Sequence, residues 1–138
     1  MNRIKDYING QSRNKIIVSK HIDQFINPID IGATLSPEID KLTGSKKLPL
    51  KARTILDNIL QSKISKSKEF GKCLGIKNLG ILFESELKID FLGLLDNYSK
   101  TSVLFIQWDG ETDNNCLYFL TKEKGKRIDI KNLSHITI

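Results

Sequence analysis

A chain of 138 residues with 39% apolar content is the size of one folding unit with a core of its own, which excludes disorder as a description of the whole. The net charge is +6, yet no apolar run approaches the roughly 20 residues of a membrane helix, and MNRIKDYING has no apolar stretch of secretory type. Cys73 and Cys116 form no C-x-x-C, and with His21 and His135 they build no zinc spacing, so two ordinary buried thiols in a reducing cytoplasm are expected.

Ile4, Tyr7 and Ile8 predict a short N-terminal helix that ends near Gly10. Lys15 to Val18 reads as a short buried strand. Asn27-Pro28 is a break, and Ile29 to Ile31 with Gly32 reads as a second strand. Ser36-Pro37 has the form of a helix start, a hydroxyl cap followed by a proline that gives up no bond. Gly44 ends that helix. After Pro49, the positions Ala52, Ile55, Leu56, Ile59 and Leu60 recur at helical spacing, with Lys51, Arg53, Asp57, Asn58 and Gln61 on the other face. The Ser- and Lys-rich stretch from Ser62 to Lys72 reads as a loop or frayed helix end.

Cys73 to Ile76 is the next strand, with Leu79 to Phe83 a loop packed beneath it. Asp90 is placed to cap a helix carrying Leu92, Leu95 and Tyr98. Val103 to Ile106 is apolar without alternation, the pattern of a strand buried on both faces, as in a parallel sheet. Asp109-Gly110 turns, Cys116 to Leu120 is a further strand, Glu123 to Gly125 turns again, and Ile136 to Ile138 is a closing strand. Strands alternating with helices predict an α/β fold, a small and mainly parallel sheet flanked by helices, in one domain over residues 1–138.

The charge is concentrated. Between Lys41 and Lys77 ten cations face two acids, Asp57 and Glu69, while the remainder is slightly acidic. Lys46, Lys47, Lys51, Arg53, Lys63, Lys66, Lys68 and Lys72 are the candidate contacts to nucleic-acid phosphates; the alternative is a solvated, lysine-rich surface. Arginine is scarce there and Phe70 is the one aromatic, which argues against base readout or stacking. Trp108, at the end of the apolar strand, stands where a parallel sheet offers a ligand crevice, or else simply covers the core. Glu86-Leu87-Lys88, with Asp30 upstream, has the E-x-K form of a metal-dependent nuclease, a pattern that a lysine-rich chain also meets by chance. No G-x-x-x-x-G-K-[ST], G-x-G-x-x-G or G-x-S-x-G element occurs.

Three segments carry a resemblance. Ile29 to Leu60, IDIGATLSPEIDKLTGSKKLPLKARTILDNIL, has the strand, S-x-x-L-type helix and amphipathic helix of a known family. Asn78 to Asp96, NLGILFESELKIDFLGLLD, resembles its N-I-E-[IL]-L-F-[DE]-x-x-L-K-x-D-P-x-x-L-L block. Val103 to Leu120, VLFIQWDGETDNNCLYFL, is similar to its apolar strand followed by W-[NP]-G-[ES] and L-T-Y. The family is BrxF, the small P-loop protein of type 3 BREX phage-defence systems, and the three blocks cover half of the chain.

The resemblance implies a P-loop-type core, with a phosphate loop directly after the first strand and an acidic Mg²⁺ ligand after the third. Neither is present. Ser19 to Ile26 follows the first strand, Lys77 stands at the position of the acidic ligand, and Gly80 stands at that of the Glu of the N-I-E triplet. The expectation is therefore a degenerate domain, not an enzyme and without cofactor. It would act as a scaffold or adaptor in an anti-phage defence or DNA-modification complex, with other subunits as partners and DNA and a second copy of the chain as further candidates. A missing phosphate loop also implies exposed apolar surface, and so an interface, near Ser19 to Ile31.

Overall fold

The computed structural model describes residues 2–119 and 125–138. In chain order it has α1 (Asn2–Asn9), β1 (Ile16–Ser19), β2 (Ile29–Asp30), α2 (Ile31–Asp40), α3 (Leu48–Lys63), β3 (Ser65–Ser67), β4 (Gly71–Lys77), α4 (Phe91–Ser99), β5 (Val103–Gln107), β6 (Cys116–Phe119), β7 (Lys126–Asp129) and β8 (Ile136–Thr137). Two 3-10 turns, Gly80–Phe83 and Ser85–Leu87, lie between β4 and α4.

The fold is α/β with a mainly parallel sheet flanked by helices, as expected. The sheet order is β2-β4-β5-β1-β8, all parallel, with β3 antiparallel to β4. The alternation of side chains along β5 divides the core between two faces. Leu104 and Ile106 point to the face covered by α2, α3, α4 and the β6–β7 hairpin, where Leu35, Leu56, Leu60, Leu95 and Leu117 are buried. Val103 and Phe105 point to the other, thinner layer, built from Ile4 of α1, Ile22 and Phe70. There Phe105 meets Phe70 at 5.2 Å and Phe25 at 5.8 Å between ring centroids. A strand buried on both sides needs apolar residues at every position, which is why Val103 to Ile106 carries no alternation.

Residues 20–28 connect β1 to β2 across that thinner face. The connection fits because β4 has Gly75 beneath it. A Cβ there would stand 2.7 Å from Ile26 Cγ2 and 3.3 Å from Pro28 Cα.

Four expectations are corrected. First, α2 starts at Ile31, not at Ser36. Asp30 is its cap, accepting from the Ala33 N–H at 2.9 Å, and Pro37 lies inside the helix. Second, Ser62 to Lys72 is neither loop nor frayed end: Lys63 closes α3, and β3 and β4 form a hairpin with Lys66 opposite Lys72. Third, β6 leaves the parallel sheet and pairs antiparallel with β7, a strand the sequence reading missed. The last residue of that expected strand, Leu120, and the turn residues Glu123 and Lys124 lie outside the described residues. Fourth, the segment Ser19 to Ile31 exposes no large apolar side chain, because Ile22, Ile29 and Ile31 are buried and Phe25 and Ile26 turn onto the sheet.

Candidate functional site

Parallel sheets bind ligands beyond the carboxyl ends of their strands, where neighbouring strands send their connections to opposite faces. Here that point lies between β1 and β5. The chain leaves β1 over the thin layer and leaves β5 toward the β6–β7 side. The gap is bridged by protein. The Trp108 N–H donates to the Ser19 carbonyl at 2.9 Å, and the His21 N–H donates to Ser19 Oγ at 3.2 Å. Further on, the Phe25 and Ile26 N–H groups both donate to the Ile22 carbonyl, at 2.8 and 3.1 Å. These amides close local turns and do not converge as a phosphate cradle.

One strand over, the ends of β4 and β5 frame a cleft of about 360 Å³, lined by Asn78, Leu79, Gly80, Gln107, Trp108, Asp109, Gly110, Tyr118 and Phe119. Trp108 thus lines a crevice and covers the core at once: it is 5% exposed and packs edge-on against Phe83 at 6.0 Å. Its Nε1–H has no hydrogen-bond partner among the described residues. A Cβ on Gly110 would collide with the Tyr118 carbonyl oxygen and stand 3.1 Å from Trp108 Nε1. Only glycine lets this turn lie so close to both.

The wall opposite is fixed by Asn78, held in the left-handed region at φ 56°, a conformation asparagine tolerates. Its side-chain amide donates to Asp30 Oδ1 at 2.8 Å, while its carbonyl accepts from the Gly32 N–H at 3.0 Å. The Ala33 N–H, then the Asn78 amide, hold the Asp30 carboxyl below the usual carboxylate range, with Lys77 adding a smaller attraction. On the far side the Tyr118 hydroxyl donates to Asp113 Oδ2 at 2.6 Å. That bond raises the Tyr118 pKa, with burial and the Asp113 charge adding to it. Asn78, Gln107 and Gly110 were not singled out from sequence. The available signal was their place directly at or after strand ends.

The basic candidates separate into two groups. Lys46, Lys47 and Lys51 are exposed at the start of α3, and Lys63, Lys66, Lys68 and Lys72 are exposed around its end and the β3–β4 hairpin. The helix rise of about 1.5 Å per residue puts roughly 20 Å between them. Arg53 belongs to neither group. Its Nε donates to both oxygens of Asp57, at 3.1 and 3.2 Å, and Asp57 also accepts from the Tyr98 hydroxyl at 2.7 Å. None of the four lysines at the hairpin has an ion-pair partner among the described residues.

Glu86 lies on a 3-10 turn with Lys88 just beyond it, and Asp30 serves as a helix cap, so the E-x-K residues do not stand on neighbouring strands. Among the described residues no three His, Cys, Asp or Glu side chains gather as a metal site. Cys73 and Cys116 are both free and buried. No described helix is long and apolar enough to cross a membrane. No family model, curated protein or solved structure matches the chain.

Proposed function

We propose that this chain is a non-catalytic, BrxF-like module, a degenerate P-loop-type domain that serves as scaffold or adaptor in a cytoplasmic anti-phage defence or DNA-modification complex. The observation that carries the reading is the exit from β1. Where such a domain needs amides free to grip phosphate, residues 20–28 run as a crossover anchored by the buried Ile22, with Ser19 bonded to Trp108. Lys77 closes β4 where an Mg²⁺ ligand would stand, and an ammonium group repels a cation. A domain that keeps the sheet and lacks the cradle retains its surfaces for other proteins. Tagged chain isolated from its native cells is expected to bring down a DNA methyltransferase or a large ATPase in stoichiometric amount. Recovery of the chain alone, at native expression and low salt, contradicts the adaptor reading.

A second reading rests on a separate observation. Lys66 and Lys72 face each other across the hairpin, flanked by Lys63 and Lys68, and like charges directly opposite destabilise a strand pair. Such a cluster suits a polyanion such as the DNA backbone, contacted through phosphates without base readout.

A further inference from the structure

The described residues that line the cleft at the ends of β4 and β5 carry a charge opposite to that of the chain. The protein carries +6, yet the described residues lining this cleft include no Lys or Arg. Their one carboxylate, Asp109, is exposed and has no ion-pair partner among the described residues. The turn that follows continues the same sign, with Glu111 exposed and Asp113 held by the Tyr118 hydroxyl. Aromatic side chains, Trp108, Tyr118 and Phe119, supply much of the remaining wall. The Trp108 Nε1–H is buried and unsatisfied among the described residues.

We propose that this cleft receives an arginine side chain carried on an exposed segment of a partner protein. The guanidinium pairs with Asp109, its planar donor fork matches a carboxylate beside the Gln107 amide oxygen, and its flat face suits aromatic walls. A phosphate-bearing ligand fits poorly, because no described lining residue is cationic to answer its charge. The assignment rests on the adaptor reading, and it names the chemistry by which such an adaptor would grip its partner.

Trp108 is the single tryptophan, so its indole N–H gives one NMR cross-peak that reports on this cleft alone. Titration with the blocked peptide acetyl-Gly-Arg-Gly-amide is expected to move that peak saturably. The matching glutamate peptide leaves it in place. Asp109→Asn weakens the response about tenfold, as loss of one charged partner does. Asp109 is exposed, and unchanged amide peaks from Val103 to Ile106 verify that the variant is folded. Silence toward the arginine peptide, equal movement by the glutamate peptide, an unaltered response in Asp109→Asn, or movement by adenosine instead of arginine would each overturn the proposal. Movement by ATP with Mg²⁺ instead overturns the non-nucleotide reading on which it rests, so the two failures are told apart.

Discussion

Asn78 donates its side-chain amide to the Asp30 carboxylate at 2.8 Å and so ties the ends of β2 and β4 across 48 residues of chain. The same oxygen caps α2 through the Ala33 N–H. One carboxylate therefore sets both the start of a helix and one wall of the cleft. Asp30→Ala is expected to lower stability by about 1–2 kcal/mol, the worth of a helix cap, measured as the midpoint of urea unfolding.

The sign of its pH dependence follows. The folded-state pKa of Asp30 is lowered by Ala33 and Asn78, and that of Asp96 by Arg13 and Asn14. Both contribute stability while ionised, fully above the unfolded carboxylate pKa of about 3.9. That stability is lost as pH falls below this value. Wild type is expected to lose more stability between neutral pH and pH 3 than an Asp30→Asn, Asp96→Asn double variant, by parallel urea titrations at each pH.

Tyr98 gives the opposite edge. Burial, then its hydrogen bond to Asp57, pushes its pKa up to about 12. A raised pKa means that the folded protein favours the neutral phenol, so this contribution is whole below the unfolded tyrosine pKa of about 10 and is lost as pH rises toward 12. The difference in tyrosinate absorbance between wild type and Tyr98→Phe is expected to rise near 12. A difference midpoint near 10 would mean that the phenol is not held by Asp57.

At the hairpin, Lys66→Glu turns a like-charge pair with Lys72 into an attractive one and is expected to stabilise the fold by roughly 0.2–1 kcal/mol. If the hairpin grips DNA, the same change weakens duplex binding while making the protein more stable. Four phosphate contacts would set a slope near −3.6 in log affinity against log salt, and the variant would flatten it by more than one contact. A wild-type affinity indifferent to salt would remove this reading.

Gly75 reports on the crossover. Gly75→Val forces a branched side chain against Ile26 and Pro28 and is expected to cost about 1–3 kcal/mol or to prevent folding, while Gly75→Ala falls between it and wild type. Equal stability of all three, by thermal unfolding, would mean that residues 20–28 do not lie on β4.

Much of this architecture is legible in the residues. The unbroken run Val103 to Ile106 announced a strand covered on both faces, and Leu56 and Leu60 marked the buried side of α3. Asp90 announced its helix and accepts from the Gly93 N–H at 3.0 Å. Other parts were hidden by competing signals. Ser36-Pro37 imitates a cap, but Asp30 has Asn78 to hold it, a contact no local window shows. The short strand Ser65–Ser67 has no apolar face and exists because the free edge of β4 pairs with it. β7 buries only Ile128 among its four residues, too little for a period. Trp108 was readable as a crevice residue, whereas Asn78 and Gln107 enter the cleft only through the alignment of strand ends.

The proposed reading requires that the carboxyl end of β1 does not hold nucleotide. Isothermal titration of the protein with ATP and Mg²⁺ tests it most directly. The expected result is heat indistinguishable from dilution into the millimolar range, because Ser19, Ile22 and Trp108 occupy their bonds and space there. Saturable binding at one site per chain would contradict it.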